Sequence, residues 1–368
     1  MKTFEGSIQL YRLFDIGGEI DLEGAVSLLA SRFSEKFKLR KNSRAVVIEQ
    51  APLVLGLGGW QQVIHDERFD VNVTGKLWSF GALSITLRID IPEARSGQDI
   101  LQIGHFLEND ENLGESLQAL AQEVIRDLGP ILHSPMLWDQ FEDYVIYLYK
   151  GKHSDGHSTM IGELLGSELF YQLILSETQR PVHEQMKIPI RQNTLQYGNE
   201  DIVTIDWNSA FIWSEGDYDD IADVLEFALV QLLELRYYDD LLSRKLSILY
   251  RAIKTTAPGI FNKRYSTLSH EAAGLYLELS EIVERIENSL KFVGDFYYAK
   301  VFRAAVDRFR LKDWERSVDQ KLGNMLEISK LFQAEITLKQ GHLLEIIIIV
   351  LIGIELIPFA GKVLALLR

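Results

Sequence analysis

The 368-residue sequence predicts an α+β protein: an N-terminal mixed α/β domain, then a long antiparallel, coiled-coil-like helical stalk, then a hydrophobic C-terminal helix. Three observations predict it. Over residues 1–213, strand-like stretches come singly and in hairpins, interleaved with helix-like ones, rather than as a regular βαβ repeat. From Tyr218 onward, apolar residues recur at helical spacing. The chain then closes on "IIIIVLIGI", Ile346 to Ile354, nine residues without a polar side chain. The boundaries that follow are 1–213 for the α+β domain, 214–341 for the stalk and 342–368 for the hydrophobic segment.

In order along the chain, "SIQLYRLFDIGG" reads as a strand stopped by a glycine turn. Asp21 then caps an amphipathic helix through "LEGAVSLLASRF". "SRAVVIEQAPLVLGLGG" reads as two short strands broken near Pro52, with the glycines as a tight turn. "FDVNVTGKLWSFGALSITLRIDI" reads as a hairpin, with alternating apolar positions on either side of Gly75. "NLGESLQALAQEVIRDL" has helical spacing, "EDYVIYLYK" is a strand, and "TMIGELLGSELFYQLILSE" reads as one helix. The last strands fall within "NTLQYGNEDIVTIDWNSAFIWSE".

The first stalk helix carries a heptad. One seam position holds Leu225, Leu232, Asp239, Leu246 and Ile253; the other holds Ala228, Leu235, Leu242 and Leu249. A second helix, Leu268 to Phe309, repeats every 11 residues through Leu275, Ile286 and Tyr297. A third starts at Leu311 and returns to sevens through Val318, Met325 and Phe332, uninterrupted by proline before Pro358.

The formal net charge of -15 argues against a general nucleic-acid binder, because phosphate affinity rests on clustered Lys and Arg. The absence of cysteine removes disulfides, thiolate catalysis and Cys-ligated metals. The N-terminus has neither a secretory signal nor the look of a transit peptide, so a cytoplasmic body is expected. There is no Walker A motif, nucleophile elbow or His-Glu-x-x-His pair. The sequence therefore points away from an enzyme, and no cofactor or catalytic residue is expected.

Weak metal candidates are His153, Asp155 and His157 in "GKHSDGHSTM". No fourth ligand is visible in a Gly- and Ser-rich stretch, so no bound metal is expected there. "RYYDD" sets Arg236, Tyr237 and Asp239 within one turn of helix. Asp239 on the apolar seam is expected to be buried and held by a cation, with Arg236 and Arg244 the near candidates, as a register-fixing pair. Glu345 and Glu355 bracket the C-terminal apolar run. Glu355 cannot stay charged and alone in hydrocarbon or in a packed core. An all-round apolar helix requires burial on every side, in a bilayer or in an oligomer core.

"DIVTIDWNSAFIW", "VQLLELRYYDDLL" and "LLEIIIIVLIGIELI" resemble the family required for meiotic nuclear division, which includes the Sad1-interacting factors and bacterial relatives. "LWSFGALSITL" is similar to that family's aromatic-Gly strand. The resemblance implies a domain of unknown activity that forms homo-oligomers at an inner membrane; it carries over no catalytic residue. The layout also resembles CorA-type magnesium channels by architecture alone, although their Gly-Met-Asn signature is absent. The expectation is a membrane-associated homo-oligomeric scaffold or tether: a cytoplasmic body at the inner (plasma) membrane, with itself and the membrane as partners. An ion-conducting oligomer is the alternative, and an enzyme of the α+β domain is third.

Overall fold

The computed structural model describes residues 3–29, 33–36, 46–48, 51–150, 157–198, 201–214, 219–255, 263–288, 290–292 and 296–366. It is an α+β chain, with a mixed sheet first, long helices after it and an apolar helix at the C-terminus. By packing it divides into two compact units: residues 1–237 with 284–315, and residues 238–283 with 316–368.

The first unit is built on β1 (Thr3–Asp15), β2 (Phe33–Lys36), β3 (Val46–Ile48), β4 (Leu53–Ile64), β5 (Glu67–Leu77), β6 (Ala82–Ser96), β7 (Phe141–Tyr149), β8 (Thr194–Leu195), β9 (Asp201–Ile205), β10 (Ser209–Ser214) and β11 (Leu290–Phe292). Nine of these make one sheet in the order β2-β4-β5-β6-β1-β7-β10-β9-β8, and β3 pairs with β11 apart from it. Within the large sheet only β7 and β10 run parallel. Such a pair needs a long crossover, and here it carries three helices: α4 (His157–Gly166), α5 (Glu168–Leu175) and α6 (Glu184–Gln192).

Strand period 2 gives the sheet two different faces. Phe4, Ile8, Leu10 and Phe14 of β1 enter the large apolar core, with Val71 and Val73 of β5 and Leu83 through Ile91, alternately, of β6. That face receives α2 (Gly97–Asn109), α3 (Glu111–Leu128) and α5. Asp110 starts α3 by accepting from the Leu113 N–H at 2.7 Å, and α3 buries Leu113, Leu117, Ala121, Val124 and Leu128 at helical spacing. The other face presents Ser7, Gln9, Tyr11, Leu13 and Asp15, all buried. It is covered by the start of α7 (Asp219–Thr255), with α9 (Phe296–Arg308) beside it. Between Val224 and Leu235 every side chain of α7 is buried, well beyond the two seam positions.

Several local readings change. The hairpin turns at Trp78–Gly81, not at Gly75, which sits inside β5 opposite Ile85. Gly81 takes φ +106, and a Cβ there would lie 2.1 Å from the Gly17 carbonyl oxygen, so only glycine fits the turn. "LGLGGW" is part of the long strand β4 rather than a turn. Its pairing slips by one residue between Gly56 and Gly58, with Gly58 at φ +101, a bulge that bends the strand without ending it. The helix expected over "TMIGELLGSELFYQLILSE" is two, because Ser167 adopts extended backbone and restarts the chain as α5. The helix expected over Leu268 to Phe309 from its 11-residue repeat is also two: α8 (Lys263–Asn288) and α9, separated by β11, whose three residues pair antiparallel to β3.

The second unit comprises α7 from Tyr238, α8 to Val283 and α10 (Leu311–Leu366) from Arg316. Leu242, Leu246 and Leu249 of α7 are buried, as the heptad predicts. Val318, Leu322, Met325 and Phe332 of α10 are buried likewise. Ser269 of α8 and Ser329 of α10 are both buried and exchange hydroxyl-to-carbonyl hydrogen bonds at 3.2 and 3.1 Å, which brings those two backbones close. At 1.5 Å per residue, α10 is about 84 Å long.

Candidate functional site

Two places concentrate features that a folded chain does not need for its own sake: the distal half of α10, and the polar layer between α7 and the sheet in the first unit.

On α10 no described side chain from Gln333 to Leu356 is buried. The apolar run is the extreme of this, from Ile347 at 44% exposed to Ile349 at 67%. Among the described residues, α10 is the one helix long and apolar enough to cross a membrane, and none of its apolar window is buried. Glu345 is exposed at the head of the run, 3.4 Å from the His342 imidazole. Glu355 lies on the same helix, and its side chain falls outside the described residues.

In the first unit, the face of the sheet toward α7 carries ionic chemistry in near-dry surroundings. Lys76 Nζ of β5 reaches Asp223 Oδ1 at 2.6 Å and Glu226 Oε2 at 2.5 Å. Glu226 is fully buried, and its second oxygen has no partner. Burial pulls the Lys76 ammonium down, but the two carboxylates outweigh it and hold the lysine charged. Burial pushes the Asp223 carboxyl up to about 6 against the pull of Lys76. Tyr11 is raised by burial and then by Glu226 and Asp223, and its hydroxyl donates to Gln9 Oε1 at 2.6 Å. The acidic start of α7 suits the helix dipole and does more than that. Asp219 sits 3.5 Å from the Arg88 guanidinium, and the Tyr298 hydroxyl donates to buried Asp220 at 3.4 Å.

The residues singled out from "RYYDD" separate. Arg236 donates to Glu142 and, at 3.2 Å, to Gln140, with its guanidinium 5.9 Å from the centre of the Trp314 ring. Burial pushes the Glu142 carboxyl up to about 7, against the pull of Arg236. The Tyr237 hydroxyl donates to the Met136 sulfur at 3.3 Å, and its ring meets Trp138 edge-on. Asp239 is half-buried in the second unit and is held by a cation, but that cation is Lys321 of α10, at 2.6 Å, and neither Arg236 nor Arg244. Ser317 donates to the same oxygen at 2.6 Å. Arg244 instead reaches Asp240 one turn back, because at i+5 it points away from Asp239.

Lys321 keeps Ser243 within 2.6 Å and remains partly in water. Asp239→Leu is therefore expected to leave the fold intact and to shift the unfolding free energy by no more than about 1 kcal/mol. A circular-dichroism melt decides it, and a loss of several kcal/mol would make the pair a structural requirement.

His153 and Asp155 lie outside the described residues, and His157 opens α4. Among the described residues no group of three or more His, Cys, Asp or Glu is placed to hold a metal. A cleft of about 770 Å³ in the first unit is rimmed by Glu19, Asp21, Glu23 and His133 over Leu22 and Leu53. Asp21 in it is occupied as the cap of α1 (Leu22–Leu28), accepting from the Glu23 N–H at 3.0 Å.

Lys76, Asp223, Glu226, Asp15 and Glu234 were not singled out from the sequence. The available signal was the composition of residues 221–235, where four polar side chains sit among eleven apolar ones, too few for a helix with a solvated face.

The large sheet with the helices on its apolar-core face is the part of the molecule that comparison recognises. The chain belongs to the family defined by the N-terminal domain of the uncharacterized protein MJ0711, whose model matches residues 5–219. The uncharacterized protein MJ0711 of Methanocaldococcus jannaschii is 26% identical over 230 residues, which is 61% of this chain and 68% of that protein. No solved structure matches the chain. The family match ends at the first residue of α7, so the helical half is read from its own residues.

Proposed function

We propose that the protein is a membrane-associated, homo-oligomeric scaffold or tether, with its α+β body on the cytoplasmic side and the distal end of α10 embedded in the inner membrane. The observation that carries this reading is the all-round exposure of the run Ile346–Leu356. Nine Ile, Leu and Val side chains there stand in water at about half exposure or more. Leaving each so costs about 1 kcal/mol relative to full burial. Residues 346–366 are helical throughout, and at 1.5 Å per residue they reach about 31 Å, the thickness of a hydrocarbon core. Glu355 interrupts that span at a cost of about 3 kcal/mol if it inserts near the centre, which favours a polar partner from a second copy. The resemblance of motifs across most of the chain to the family required for meiotic nuclear division would imply the same placement and self-association.

The test uses the full chain. Mixed with phospholipid vesicles, it is expected to float with the lipid, and in detergent its mass is expected to exceed that of one chain. A protein that stays in the aqueous fraction, monomeric without detergent, overturns the reading. Ion flux through vesicles that carry it would replace the tether by a conducting oligomer.

A further inference from the structure

The end of β1 and the stretch of α7 that covers this face each carry a buried carboxyl group, and the ionic layer leaves both without a cation. Asp15 ends β1 and Glu234 lies in α7; both are 0% exposed. Asp15 Oδ1 accepts the Gly17 N–H at 3.1 Å, while Oδ2 has no hydrogen-bond partner. Neither oxygen of Glu234 has one. The charged neighbour that bears on Glu234 is Asp15 itself.

The cations on the surrounding elements are engaged elsewhere. Arg236 of α7 holds Glu142. Lys76 of β5 holds Asp223 and Glu226. Arg308 of α9 holds Asp206, and Arg12, on the opposite face of β1, holds Asp143. Of the remaining titratable groups nearby, Glu142 of β7 is held by Arg236, the Tyr144 hydroxyl donates to the backbone oxygens of Asp206 and Ser209, and the Tyr237 hydroxyl donates to Met136. His133 and Asp139, on the loop before β7, are exposed to water.

A carboxylate in such a place is too costly to keep charged. A protonated carboxyl is different: it donates one O–H and keeps an acceptor. We propose that Asp15 and Glu234 form a protonated carboxyl clasp that docks α7 on the sheet only while the two groups hold their protons. Deprotonation would leave two like charges facing each other in a dry interface, and α7 would be released there. The arrangement makes the attachment of α7, which passes out of the first unit three residues on at Tyr237, conditional on pH.

The sign is opposite to that of ordinary ion-paired acids. Burial raises Asp15 to about 8 and raises Glu234 as well. The folded state therefore binds more protons than the unfolded one. The clasp's contribution is complete below the unfolded carboxylate range and is lost as pH rises toward about 8.

All six tryptophans lie in the first unit, so their fluorescence follows its unfolding alone. In urea, the unfolding equilibrium constant of the wild-type chain is expected to rise about tenfold per pH unit for each proton lost, between about pH 5 and about pH 8. Glu234→Gln, which carries its own donor, should flatten that slope. Infrared spectra of the wild type near neutral pH should contain a protonated carboxyl C=O band that Glu234→Gln removes. If Glu234→Gln fails to fold, the wild-type band and slope decide the matter. A wild type without the band, a variant with an unchanged slope, or a melting temperature raised by magnesium or calcium ions through Glu234 each overturns the proposal.

Discussion

Lys76→Met is expected to destabilise the first unit by about 3–5 kcal/mol, the loss seen when one member of a buried ion pair is removed and its partners stay. The substitution keeps most of the side chain's length and apolar bulk and removes the charge. Asp223 and Glu226 would then face each other in the interior with no counter-charge, and Glu226 already has one oxygen without a partner. The folded value of Asp223 would rise further, since Lys76 is the group holding it down against burial. A raised folded value means that stability returns as the pair takes up protons, so the deficit should shrink as pH falls from about 8 to about 5. The comparison is urea unfolding followed by tryptophan fluorescence at several pH values. Adding Asp223→Asn and Glu226→Gln to Lys76→Met should recover most of the loss at neutral pH, because no uncompensated charge remains. A loss below about 1 kcal/mol, flat with pH, would mean that water reaches the triad.

That triad also shows where sequence reasoning stops. The strand character of β1 and β7, the cap of α1, the stripe of α3, and the heptad of the late α7 were all legible, because each rests on a local period or on a residue beside the element it bounds. A polar alternate face on β1 – Ser7, Gln9, Tyr11, Asp15 – reads from sequence like a strand with one side in water. In the structure α7 covers that side: its off-seam Asp223 and Glu226 reach Lys76 of β5, and its off-seam Glu234 is buried instead of solvated. No local pattern distinguishes the two cases, since the difference lies in an element more than a hundred residues away. The partner of Asp239 was missed for the same reason: Lys321 is 82 residues on, outside any window that weighs i±4 neighbours. The restart at Ser167 costs a periodic helix one residue of interruption and that at β11 seven, short enough for periodicity to average away.

The distal end of α10 is the opposite case, where a local signal alone carries the functional reading. Ile349 is the most exposed residue of the run, at 67%, near the middle of its nine apolar residues. Ile349→Arg should therefore be nearly silent for folding, because the side chain is exposed, and severe for insertion. Replacing an isoleucine at a helix centre by arginine shifts the insertion free energy by about 3–4 kcal/mol, or a few hundredfold in the fraction bound to vesicles. Leu338→Arg is the control. It is also exposed, at 61%, but lies eight residues before the run, where an arginine can stay in water or at the headgroups. Flotation with vesicles should separate the two variants sharply while their tryptophan-monitored unfolding stays that of the wild type. If both float as the wild type does, the run does not enter the bilayer. If neither wild type nor variant floats, but Ile349→Arg alone breaks an oligomer seen by light scattering, the run is the core of a helical assembly and the tether becomes a soluble one.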